Sequence, residues 1–233
     1  MSGLAIIQKE TQQVTQEQHV WGTDMQTHFL HSMADAGHIK EPYDYWLLDD
    51  VLPEQAIDSI ANLPFPAPIQ PVFNGRREAN NSTRVYFNQE NIQRFQVCAD
   101  TALLFNSLHT RHAIEKATGA NLAGGHLRIE YCQDIDGFWL EPHLDISVKL
   151  FTMLIYLSDD PNLFDAGTDI YDDSPQHKLI ATAPYEKNKG MIFIPGEKTW
   201  HGFTPRTIKG LRKSLIVNYV SPDWVNQTEL SYR

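Results

Sequence analysis

His143 and Asp145 stand two residues apart, and on a strand side chains i and i+2 point to the same face. One offers an imidazole nitrogen and the other a carboxylate oxygen to a single ion. His201 can complete the set from a second strand. Two histidines and one carboxylate on one side of a metal suit Fe(II) and leave the opposite positions open for a second ligand and O2. Zinc takes the same ligand types in hydrolases, and Glu141, two residues before His143, would then be the general base. A lone His-x-Asp arises often by chance as part of a polar loop, so its weight depends on the strands around it.

Those strands are legible. A strand-like run, Phe138-Trp139-Leu140, leads into His-x-Asp, and the long apolar run from Leu150 to Leu157 follows it. A second apolar strand, Gly190 to Pro195, precedes His201, with a Pro195-Gly196 turn and Lys198-Thr199-Trp200 between them. A last strand, Leu211 to Val220, places Arg212, Ser214, Ile216 and Asn218 on one face and Leu215, Val217 and Tyr219 on the other. A guanidinium grips a carboxylate with two charge-assisted hydrogen bonds, which orient the ligand as well as hold it. An arginine aimed into a barrel also needs a partner, because a buried unpaired charge is costly. Arg206, beside Pro205, reads instead as a solvated loop charge, and Lys149 as exposed.

This order of elements, from Gly125 to Val220, resembles the 2-oxoglutarate- and Fe(II)-dependent dioxygenases, in particular their prolyl-hydroxylase-like branch. The resemblance implies a mainly β fold with flanking helices, a double-stranded β-helix (jelly roll, cupin-like). It implies iron on His143, Asp145 and His201, with Arg212 and Ser214 anchoring 2-oxoglutarate and O2 as the oxidant. Tyr131, Thr152 and Tyr156 match the tyrosine and threonine positions that the branch places around iron and keto acid. Halogenases of this superfamily carry a small residue where Asp145 stands, so the aspartate favours hydroxylation. Zinc hydrolysis leaves Arg212 unexplained. A non-catalytic jelly-roll sensor of metal or keto acid is the rival from another class.

Composition sets the outer limits. The chain of 233 residues has 42% hydrophobic and 21% charged residues, ordinary values for a globular domain. The formal net charge of −10 argues against nucleic acid as the main partner. Two cysteines, Cys98 and Cys132, give neither a disulfide framework nor zinc-ligand spacing, and suit a reducing compartment. The only N-terminal apolar run, Leu4 to Ile7, is too short for a signal peptide or a membrane span. The expectation is a cytoplasmic protein with no nucleic-acid or membrane partner.

Residues 1–40 are expected to form an appendage, helical over Gln16 to Ala36; packing element, lid and homodimer contact are the alternatives for it. The rest, 41–233, is expected to be one domain with its jelly-roll core at about 125–220. Tyr43 to Leu48 reads as a strand, and a helix follows through about Asn62. Pro64, Pro66, Pro68 and Pro71 mark a surface connection. Asn74 to Tyr86 is expected to be a loop, and Phe95 to Thr118 one helix ending at Gly119. Asp159 to Asp173 is read as a turn with a surface insertion.

Substrate contacts are the least legible part. Trp139 and Trp200 flank the motif, and Arg76, Arg77, Asn81 and Arg84 lie in the long polar loop that could cover the pocket. The expected activity is hydroxylation of an unactivated C–H bond, of an amino acid or related small metabolite, with release of succinate and CO2. A prolyl or other protein side chain is the alternative substrate of the same chemistry.

Overall fold

The computed structural model describes residues 24–69, 73–76 and 84–232. Two antiparallel sheets face each other. The larger has seven strands: β1 (Gly37–Ile39), β2 (Tyr45–Leu48), β3 (Arg84–Tyr86), β4 (His126–Asp134), β6 (Lys149–Tyr156), β9 (Gly190–Phe193) and β11 (Arg212–Val220), in the order β1-β2-β9-β6-β11-β4-β3. The smaller has four, β5 (Leu140–His143), β7 (Asp169–Tyr171), β8 (Leu179–Thr182) and β10 (His201–Phe203), in the order β5-β10-β7-β8. The α-helices are α1 (24–34), α2 (Glu54–Ala61), α3 (Gln89–Arg94), α4 (Gln96–Asn106) and α5 (Leu108–Thr118). This is the expected double-stranded β-helix with helices flanking the larger sheet. No helix among the described residues is long and apolar enough to cross a membrane.

Strand alternation divides the interior into two layers. Leu127, Ile129 and Tyr131 of β4, Phe151, Met153 and Ile155 of β6, and Leu215, Val217 and Tyr219 of β11 pack with Met25, Phe29, Ile57, Phe105 and Ile114 from the helices. The opposite faces of the same strands, with Cys132, Leu154, Tyr156 and Ile216, pack against Ile170 and Phe203 of the smaller sheet. Most of the buried polar residues on these strands lie in the second layer. Arg128, Glu130 and Asp134 on β4, Thr152 on β6, and Arg212, Ser214 and Asn218 on β11 are all buried. Buried polar residues recurring on one face of three adjacent strands mark the face around a polar site.

Three expectations about elements need correction. The helix expected over Phe95 to Thr118 is two helices. Ser107 breaks it in extended conformation (φ −65°, ψ 140°) and caps α5 by accepting from the Thr110 amide. The apolar face does not run through the break: Leu108 is 85% exposed, whereas Thr110 and Ile114 turn inward. The segment Asp159 to Asp173 is more than a turn, since it contains β7 and the fully buried Asp169. Arg84 belongs to strand β3 and not to the loop that precedes it. The helix expected over Gln16 to Ala36 is described only from residue 24 onward, and its Met25, Phe29 and Met33 join the main core.

Candidate metal and keto-acid site

His143 ends β5 and His201 begins β10, and the two are direct partners across the antiparallel pair. Their rings lie 4.4 Å apart, centroid to centroid. Asp145 follows in the turn between β5 and β6. One ligand atom from each of His143, Asp145 and His201 lies within 4.8 Å of the others, the only such group of three or more among the described residues. Backbone carbonyls set the histidine tautomers. Nδ1 of His143 donates to the Glu141 carbonyl at 2.8 Å, and Nδ1 of His201 to the Thr199 carbonyl at 2.9 Å. Nε2 of each ring is therefore the lone-pair nitrogen left for a metal. Burial, with His143 alongside, lowers the His201 pKa to about 3, so this ring is neutral and ready to ligate.

Asp145 is held from two sides. Lys149 donates to Oδ1 at 2.6 Å and Thr152 to Oδ2 at 2.7 Å. Burial opposes its ionisation, but Lys149, His201 and these hydrogen bonds together keep the carboxyl well below the usual carboxylate range. Lys149 was expected to be exposed; its side chain is 8% exposed. The reason is local: the turn after Asp145 brings β6 back beside it, four residues on. Thr152 in turn accepts from Asn218 Nδ2 at 3.2 Å. A carboxylate offers about four lone-pair positions, so both contacts leave room for a metal. The donor set, two neutral imidazoles and one carboxylate, fits Fe(II).

A cavity runs inward from the triad. Its walls include His143, Asp145, Thr152, Thr168, His201, Arg84, Arg212 and Ser214. At its inner end Arg212 donates to Asp134 Oδ2 at 2.6 Å and to the Ala166 carbonyl at 2.7 Å. Arg84 donates to the other oxygen of Asp134 at 2.9 Å. Phe203 and Phe138 cover the Arg212 guanidinium. Gly167 shapes the wall behind it: a Cβ there would lie 1.7 Å from the Ala183 carbonyl oxygen, so only glycine permits this approach of backbone to backbone. Ser214 Oγ and Arg84 Nε are buried without a hydrogen-bond partner. A second, open cleft leads outward from His143, Asp145 and Lys149 and is lined by Arg76, Arg128, Glu141, Ile146, Trp224 and Glu229.

The structure thus brings His143, Asp145, His201, Thr152, Arg212 and Ser214 around one cavity. Tyr156 stands behind it. Its hydroxyl donates to Thr168 Oγ1 and accepts from the Thr168 amide, so it fixes a wall residue. Tyr131 does not line the cavity. It points to the opposite face of β4, donates to the Ala61 carbonyl at 3.1 Å and packs on Phe65. Alternation identified it as inward-facing, but a two-layer protein has two interiors. Arg206 is not a solvated charge either: it pairs with Asp169 and donates to the Asp165 carbonyl.

Among the substrate candidates, Arg76 lines the outer cleft, while Arg77 and Asn81 lie outside the described residues. Trp139 packs over Gly75, and Trp200 donates to Asp173 and stacks on His177; neither lines the cavity or the cleft. Arg84 belongs to the inner end. Sequence reasoning missed Asp134 and Thr168, and misread Lys149 as exposed. The signal for Asp134 was present in β4, where Arg128, Glu130, Cys132 and Asp134 share one face, alternating with Leu127, Ile129, Tyr131 and Gln133.

No protein-family model matches the chain, and no curated protein matches it. Solved structures do. A Pseudomonas putida prolyl-4-hydroxylase aligns over 85% of this chain and 93% of its own, with a TM-score of 0.52 and 15% identity. A Trichoplax adhaerens prolyl hydroxylase, in complex with a hypoxia inducible factor peptide fragment, aligns over 91% of this chain and 93% of its own, with a TM-score of 0.50 and 12% identity. The viral collagen prolyl hydroxylase of Paramecium Bursaria Chlorella virus-1, as its 2OG complex, aligns over 76% of this chain and 96% of its own, with a TM-score of 0.50 and 12% identity. Nearly the whole length of each neighbour is matched, and the chain has the double-stranded β-helix fold of the prolyl-hydroxylase-like structures.

Proposed function

We propose that this chain is an Fe(II)- and 2-oxoglutarate-dependent dioxygenase that hydroxylates an unactivated C–H bond and releases succinate and CO2. One observation carries the reading: the His143, Asp145, His201 triad and the Arg212, Ser214 pair line the same cavity from opposite ends. His143, Asp145 and His201 would hold the iron, and Arg212 with Ser214 the distal carboxylate of the keto acid. The bound iron, with keto acid and O2, supplies the oxidising power that no side chain has. The protein's own residues do the rest. Thr152 and Lys149 keep Asp145 ionised and aimed. Thr199 and Glu141 carbonyls orient the imidazoles. Phe138, Phe203 and Leu140 exclude water from the inner cavity.

The substrate is proposed to be a small molecule such as an amino acid or related metabolite, entering by the outer cleft over His143 and Asp145. That cleft is open and mixed in charge, and it would equally admit a prolyl or other side chain on a polypeptide. The structural neighbours, one of them in complex with a peptide fragment, support that second reading. The buried thiols of Cys98 and Cys132 suit the reducing cytoplasm, where we place the protein. The test is a screen of free amino acids and proline-containing peptides for succinate formed in step with keto-acid loss. Turnover that disappears in Asp145→Ala, with the fold retained, supports the enzyme. Metal and keto-acid binding without turnover on any substrate would favour a sensor.

A further inference from the structure

Three strands meet at the inner end of the cavity, and among the described residues the charges there do not balance. Arg212 from β11 and Arg84 from β3 bracket a single carboxylate, Asp134 of β4, one on each oxygen. The three side chains are 6%, 2% and 1% exposed. The nearest further acidic group felt by Arg84 is Glu130, whose closest cation is Arg128. Among the described residues, one surplus positive charge therefore remains where water cannot screen it. A buried guanidinium keeps its proton, so the surplus is not relieved by titration.

The unsatisfied atoms lie in the same place. Arg84 Nε and Ser214 Oγ are buried without hydrogen-bond partners, and both residues line the cavity. Orphaned buried donors of this kind are uncommon in native proteins and cost free energy unless a ligand satisfies them. A surplus cation beside two orphan donors is the complement of one anionic, multiply accepting group. Arg84 can hardly serve the fold alone: Asp134 already has Arg212, and a second arginine with an idle Nε adds a desolvation cost.

We propose that Arg84 is a second carboxylate-binding cation of the keto-acid pocket, which with Arg212 forms a two-arginine clasp, spaced by Asp134, that selects a keto acid bearing a distal carboxylate. This rests on the proposed function and adds a binding residue to it. The clasp makes the distal carboxylate the main determinant of affinity. A monocarboxylic keto acid leaves the surplus charge and the orphan donors as they are.

The test is anaerobic titration calorimetry of the full chain loaded with Fe(II), with 2-oxoglutarate and with 2-oxobutyrate, which lacks the distal carboxylate. Arg84→Gln should bind 2-oxoglutarate about tenfold more weakly or worse, and 2-oxobutyrate as the parent protein does. Arg84→Lys, which keeps the charge beside Asp134 but not the fork, should lose an intermediate share of the 2-oxoglutarate affinity and none for 2-oxobutyrate. It also serves if the glutamine variant does not fold. Unchanged 2-oxoglutarate affinity in either folded variant, with Arg212→Gln losing it, would overturn the role of Arg84 and leave the keto-acid site standing. A parent protein that binds both keto acids equally, or neither, would overturn the keto-acid site itself.

Discussion

Two arginine–carboxylate clusters lie along the inward face of β4, and they are opposites. Near the inner end of the strand, Asp134 is shared by Arg84 and Arg212, two cations on one carboxylate. Near its start, Arg128 is shared by Glu130 and Glu229, two carboxylates on one cation. The second cluster borders the outer cleft, and Trp224 Nε1 beside it has no partner, but its guanidinium is engaged. The Arg128 guanidinium lies between the rings of Tyr86 and Trp224, and its donors also reach Asn218 Oδ1 and the Tyr86 hydroxyl. The first leaves Arg84 Nε and Ser214 Oγ idle against a cavity. The contrast supports the proposed division of roles: an arginine whose own donors are engaged by carboxylates is expected to hold the fold, whereas a pair of arginines on one carboxylate, with an idle donor facing a cavity, is proposed to receive an anion.

Substitution at each end should separate the two roles. The largest effect is expected from Arg128→Gln, which leaves the fully buried Glu130 without its cation. Unfolding free energy should fall by about 3–5 kcal/mol, measured by urea denaturation. Arg212→Gln should do the reverse. Asp134 keeps Arg84, so stability should change little, while 2-oxoglutarate affinity drops about 100-fold, as the loss of a two-pronged charged contact implies. If the two variants behaved alike, the contrast between the clusters would be wrong.

Smaller changes sharpen it. Glu229→Gln removes one of the two carboxylates on Arg128 at a side chain only 12% exposed. Because Glu130 still pairs the arginine, the expected loss is about 1 kcal/mol of stability, with keto-acid binding unaltered in calorimetry. Ser214→Ala deletes a hydroxyl that has no partner in the fold. It should leave the thermal midpoint in place and weaken 2-oxoglutarate by about fivefold, the worth of one neutral hydrogen bond. A Ser214→Ala variant that unfolds early would show that the hydroxyl serves the fold.

The ease of reading this site from sequence follows the range of the forces that build it. His143, Asp145, His201, Arg212 and Ser214 were legible because period-two alternation fixes the face of each residue within its own strand. The long strands β6 and β11 were legible for the same reason. Alternation cannot say which of two interiors a face meets, and Tyr131 fell on the helix side of β4 for that reason. Long-range pairing was also hidden. Nothing local to Arg84 announces that β3 joins β4 and brings it to Asp134, fifty residues on. Arg206 looked solvated because its partner Asp169 sits on strand β7, 37 residues away. The break at Ser107 was hidden by helix formers on both sides, although a serine three residues before a threonine amide was the available capping signal.

The most direct test of the account adds Fe(II) and 2-oxoglutarate to the protein without oxygen and records the visible spectrum, with Arg212→Ala in parallel. The account predicts the charge-transfer band of a keto acid chelated to iron, strong in the parent protein and weakened in the variant. Folded, iron-loaded protein that shows no band, or an equal band in both proteins, would contradict it.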